Sequence, residues 1–204
     1  MRERSFNYEK TQESISSFVA SNSQKNNSVL DKKIQLSKKT ISASDFSQEE
    51  KEHIQNVVDN NTAVLNTNKD PLLTAKATIT FVYPLSFEEL FDFLNDNQIT
   101  NNFVSGQILL EDATISTFMS NATTLSLSEI QEITLDSAES SNGVFLGYTS
   151  IRGILNVNML NKIQSSKLVI LVELCQISEN GDYLTNPYAE DLAWEIATVK
   201  GVTK

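Results

Sequence analysis

A chain of 204 residues with 40% hydrophobic residues and ten Phe is long and apolar enough to bury a core, and it is not the composition of a disordered segment. The formal net charge of -10 and a pI of about 4.6 argue against nucleic acid as a partner, because phosphate binding needs clustered Lys and Arg. The single cysteine, Cys175, excludes an internal disulfide and a thiolate metal cluster.

No window reaches the roughly 18 apolar residues of a membrane span. The opening MRERSFNYEK has charges but no apolar stretch behind it, so no secretory signal is visible. The expectation is a cytoplasmic protein on the chain as given, or an extracytoplasmic one if an upstream targeting segment was removed.

Residues 1–70 read as a polar N-terminal extension. Ile15, Phe18 and Val19 suit a turn or two of helix, and Lys32, Lys33, Lys38 and Lys39 form a basic run interleaved with Ile34 and Leu36. The spacing predicts one helix near 46–60, with Ser47 as N-cap, Glu50 as its capping-box partner and Ile54, Val57 and Val58 as the apolar stripe. Asn60, Asn61 and Thr62 read as its stop and TAVLNTNKDP as a linker. The only histidine, His53, reads as an exposed surface residue among Glu49, Glu50 and Glu52.

Residues 71–204 read as the main domain. Thr74–Tyr83 alternates with period two and predicts a strand ended by Pro84. The strongest helix signal is Leu85–Asp96: Ser86 caps it, Glu89 completes a capping box, and Leu85 and Leu90 can form a hydrophobic staple. Its predicted buried stripe is Phe87, Leu90, Phe91 and Leu94. A strand follows within Asn102–Glu111, then an insertion over residues 112–143, with alternation around Ile115–Met119 and a helix beginning at Ser126 or Ser128.

The chain is organised around Val144–Cys175. Val144–Leu155 predicts a strand, Asn156 a cap for a helix over Val157–Ser165, and Lys167–Cys175 a strand apolar on both faces and therefore central. Residues 179–182 read as a turn, and NPYAEDLAWEI, with Trp194, as a short helix in the tail. The order strand, helix, strand, insertion, strand, helix, strand predicts an α+β, ferredoxin-like (split βαβ) antiparallel sheet with helices on one face. Its two central strands should pair Ala77–Tyr83 against Leu168–Leu174, antiparallel.

Two segments carry a family resemblance. GYTSIRGILNVNMLNKIQSSKLVILVE, Gly147–Glu173, resembles the second half of subtilisin-type propeptides and related protease-inhibitor domains. ITFVYPLSFEELFDFL, Ile79–Leu94, is similar to the first strand and helix of that fold. The resemblance spans residues 74–175. It implies a ferredoxin-like module that packs its sheet on a partner protein. The strand, Pro-Leu-Ser, helix opening is also similar to the extracytoplasmic sensor domains of bacterial anti-sigma factors.

The sequence offers little chemistry. His53 stands apart from Cys175 and no third group orients it, as a Ser-His-Asp or Cys-His site requires. No calcium loop, G-x-G-x-x-G or P-loop occurs, and Gly106, Gly147 and Gly153 fall in strand-like segments where a bulge or close backbone approach is the simplest reading. The expectation is a non-enzymatic protein-binding module without a cofactor. Arg152, the only Arg beyond the leader, and Tyr148 are the candidate partner-binding residues, on the open face of the sheet. The alternatives are a protease inhibitor or propeptide-like folding module, an extracytoplasmic sensor domain and, from another class, a small enzyme using carboxylates alone.

Overall fold

The computed structural model describes residues 46–67, 70, 72–112, 114–121, 124–179 and 182–185. The predicted leader helix, the Lys32–Lys39 run and the Trp194 helix lie outside them. The described chain is an α+β fold: α1 (Gln48–Thr67), β1 (Thr74–Leu85), α2 (Phe87–Asp96), β2 (Thr100–Leu109), β3 (Ile115–Asn121), α3 (Leu127–Ser140), β4 (Val144–Asn156), a 3-10 turn (Val157–Met159) leading into α4 (Leu160–Gln164), β5 (Val169–Glu179) and β6 (Asp182–Thr185). The six strands form one antiparallel sheet in the order β3-β2-β4-β1-β5-β6.

The two central strands pair as their apolar patterns require. Ala77 stands opposite Leu174, Ile79 opposite Val172 and Phe81 opposite Val169. One face of the sheet, with Ala75, Ala77, Ile79, Phe81, Ile151 and Val172, is the floor of the core. Leu90, Phe93 and Leu94 of α2, Ile130 of α3, and Leu160 and Ile163 of α4 close it from above. Each large aliphatic or aromatic side chain removed from water here stabilises the fold by about 1.5–3 kcal/mol before ordering costs.

Local signals account for the helix starts. Ser86 with Glu89 and Ser126 with Glu129 both form complete capping boxes, and Ser47 with Glu50 makes the same reciprocal pair before α1. Leu85 and Leu90 are both fully buried, as the staple requires. The inner stripe of α2 differs from expectation. Phe93 is buried, its ring edge-on to Phe81 at 5.3 Å, while Phe91 is 39% exposed. The aromatic partner on β1 selects Phe93.

Three boundaries also differ. α1 continues to Thr67 through the expected stop, because Asn61 is itself an anchor: buried in mid-helix, its Nδ2 donates to the Val172 carbonyl at 2.7 Å. Val64 and Leu65 then extend the apolar stripe onto the core. The linker reading of residues 62–67 is therefore replaced by a helix packed against β5. The insertion is ordered as β3 and α3, and α3 runs to Ser140, four residues into the Ser137–Gly143 stretch (SAESSNG) whose composition reads as a loop. The helix after Asn156, whose Oδ1 accepts the Asn158 N–H at 2.8 Å, is a 3-10 turn followed by a short α-helix. His53 is half-buried instead of exposed.

Candidate functional site

The second face of the sheet is built from the alternate residues of the same strands. One row runs Phe103 on β2, Arg152 on β4, Thr78 on β1 and Glu173 on β5. Arg152 Nε donates to Thr78 Oγ1 at 3.1 Å, and its guanidinium carbon lies 5.4 Å from the Phe103 ring centroid. Cys175 Sγ stands 3.3 Å from the same Thr78 oxygen. The backbone of Arg152 is held as well: the buried Asn101 amide, oriented to donate, reaches the Arg152 carbonyl at 2.8 Å and the Phe103 carbonyl at 2.7 Å. Arg152 is thus fixed through both ends, with its charge over an aromatic face.

The next row decides how accessible this face is. It runs Met119 on β3, Ser105 on β2, Ser150 on β4, Thr80 on β1 and Leu171 on β5. Their exposures are 58%, 0%, 2%, 0% and 2% in that order. Along this row the face is closed at its centre and opens at β3. The expectation of an open sheet face is corrected by that sequence of values. Arg152 stays half-buried on this side.

Tyr148 lies on the other side. It is 1% exposed, in the core, with its ring 4.8 Å from that of Phe145 and 6.4 Å from that of Phe118. Its hydroxyl pairs with Thr134 Oγ1 at 2.8 Å, and burial pushes the phenol well above the usual tyrosine range. The register shift on β4 between Ser150 and Tyr148 turns the side chain inward. Tyr148 and Arg152 therefore do not share a surface, and Tyr148 cannot contact a partner without unpacking the core.

The accessible feature is β3. Its seven residues pair with β2 without a register break, whereas the β1–β4, β1–β5 and β2–β4 ladders all contain shifts. Its other edge has no strand partner among the described residues. ISTFMSN contains no charge and no proline, which are the usual means of blocking an edge strand. The alternation at Ile115–Met119 marks the segment as extended but does not by itself separate an outer strand from an insertion. The further signal is that ISTFMSN, unlike the Glu111 and Asp112 that precede it, holds no gatekeeping charge.

Catalytic groupings are sparse. Among the described residues no three His, Cys, Asp or Glu side chains converge as a metal site would need, and Glu173 is the one acid among the buried residues. No described helix is long and apolar enough to cross a membrane. Compared with protein-family models, curated proteins and solved structures, the chain finds no match.

Proposed function

We propose that this chain is a non-catalytic protein-binding module that receives an extended segment of another protein on the free edge of β3. The observation that carries the reading is an uncharged, unbulged edge strand whose outer side has no strand partner among the described residues, with Met119 exposed on it. An unblocked edge presents a row of backbone donors and acceptors that a second strand completes, with main-chain hydrogen bonds giving affinity and alternate side chains giving selectivity.

The architecture supports the same reading. We take β5-β1-β4-β2 as a ferredoxin-like core, since β4 lies between β1 and β2 and β1 lies between β4 and β5. On that description β3 and α3 are an insertion that moves the sheet edge outward, and β6 extends the other side. A propeptide or inhibitor module would rest on the same core order, but it would seat its partner on the second face. The burial of Ser105, Ser150 and Thr80 favours the edge over that face.

Selection of random seven-residue peptides against the folded protein tests the reading. Binders are expected, and they should be lost when Thr117→Lys and Met119→Lys place charges along β3. Peptides that bind the doubly substituted protein unchanged, or no binders at all, would remove the edge from consideration.

A further inference from the structure

The charge distribution around β3 states what kind of segment fits. Between Ala77 and Ile151 the sequence holds ten acidic residues and not one Lys or Arg, so this stretch alone carries a formal charge equal to the -10 of the whole chain. It is the stretch that builds α2, β2, β3 and α3. Glu111 and Asp112 are exposed at the β2–β3 turn, at the head of the free edge. On α3, which follows β3, Glu129, Glu132, Asp136 and Glu139 recur at helical spacing and are all exposed. The strand itself is neutral, so a receiving edge without charge continues directly from the exposed Glu111 and Asp112 and belongs to a stretch that holds no Lys or Arg.

Resting on the reading of β3 as a receiving edge, we infer that its occupant is a cationic strand: an extended segment in which Lys or Arg alternates with apolar or β-branched residues. The backbone pairs with β3, the apolar positions cover Met119 and Ile115, and the cationic positions lie in the field of the surrounding carboxylates. That field raises the encounter rate of a basic segment and opposes an acidic one. It also opposes a second copy of this chain, since self-pairing at β3 brings two acidic stretches together.

The probes are three labelled peptides: Lys-Val-Lys-Val-Lys-Val-Lys, its counterpart with Glu in place of Lys, and the Lys peptide with its central Val replaced by Pro. Fluorescence anisotropy with the full chain should show the Lys peptide bound, more weakly as salt is raised, and the other two bound at least about tenfold more weakly. Met119→Lys, at an exposed position, should weaken the Lys peptide by a similar factor, with an unchanged circular dichroism spectrum as the check on folding. Glu132→Gln with Asp136→Asn should weaken it without touching the strand.

Equal binding of the Lys and Glu peptides, both lost in the Met119→Lys protein, would overturn the charge inference while leaving β3 as a receiving edge. Binding of the Lys peptide that ignores Met119→Lys and the Pro interruption would overturn both, reducing the effect to nonspecific attraction. A Met119-dependent dimer in sedimentation velocity would assign the edge to a second copy instead.

Discussion

The Tyr83 hydroxyl donates to Glu89 Oε1 at 2.8 Å. The other oxygen of the same carboxylate accepts the Ser86 backbone N–H at 2.8 Å, and the Ser86 hydroxyl accepts the Glu89 N–H at 3.2 Å. One carboxylate thus ties the last turn of β1 to the first turn of α2, fixing the angle at which the helix returns over the sheet.

Ser86→Ala should cost about 1 kcal/mol, the usual value of a lost N-cap. Glu89→Ala should cost more, about 1–3 kcal/mol, because it also leaves the Tyr83 hydroxyl without its acceptor. Urea midpoints with unchanged slopes would measure both. If Glu89→Ala costs no more than Asp92→Ala on the exposed side of the same helix, the clamp carries no energy.

The same contact sets an alkaline limit. Burial, then the hydrogen bond to Glu89, then the charge of Glu89 raise the Tyr83 pKa from 10.0 to about 12. The folded protein holds this proton more tightly than the unfolded chain does. The associated stability is fully present below pH 10.0 and is lost as pH rises from there through about 12. Tyr148, also raised, acts in the same direction, so the test is differential. The decline in stability over that window should be shallower in Tyr83→Phe than in the parent protein, and parallel curves would exclude the contribution.

The sequence was most legible where a local rule and the tertiary demand coincide. The Ser86 cap, the period-two face of β1 and the antiparallel pairing of Ala77 with Leu174 follow the local patterns, and of the two starts open to α3, Ser126 or Ser128, the cap is Ser126. It misled where a distant partner decides. Asn61 reads as a helix breaker by propensity, but its amide is spent on a carbonyl 111 residues away, so the helix continues. Phe91 and Phe93 are equivalent by type, and only the position of Phe81 selects between them. Tyr148 stands four residues from Arg152, so strict alternation puts both on one face, and the shift in the β2–β4 register turns Tyr148 to the other. The β3 edge was legible as a strand, but its standing as an outer strand depends on topology that no local pattern encodes.

The inward position of Tyr148 makes a specific energetic prediction. Thr134 gives its proton to the Ile130 carbonyl at 2.7 Å, so in the 2.8 Å contact with Tyr148 the phenol is the donor. Tyr148→Phe removes that donor and should cost about 1 kcal/mol. Thr134→Val leaves a buried phenol without an acceptor and should cost more, about 1–3 kcal/mol. The double variant should be less destabilised than the sum of the two. Additive costs in chemical denaturation would show that the two groups do not interact.

Gly147 offers the sharpest test of how β4 passes the end of β1. Its φ is +150°, and a Cβ there would stand 2.6 Å from both the carbonyl carbon and the oxygen of Pro84. Those atoms belong to the backbone and cannot rotate away. Gly147→Ala should therefore cost more than about 1 kcal/mol from conformation alone, with about 1–3 kcal/mol added by the clash. Thermal melting reads the loss, with Ser140→Ala on exposed α3 as the control. Replacing Pro84 by Ala in the same protein should not restore stability, because the carbon and oxygen remain in place. Recovery in that double variant would mean that the proline ring, and not the crossing of two backbones, requires glycine at this position.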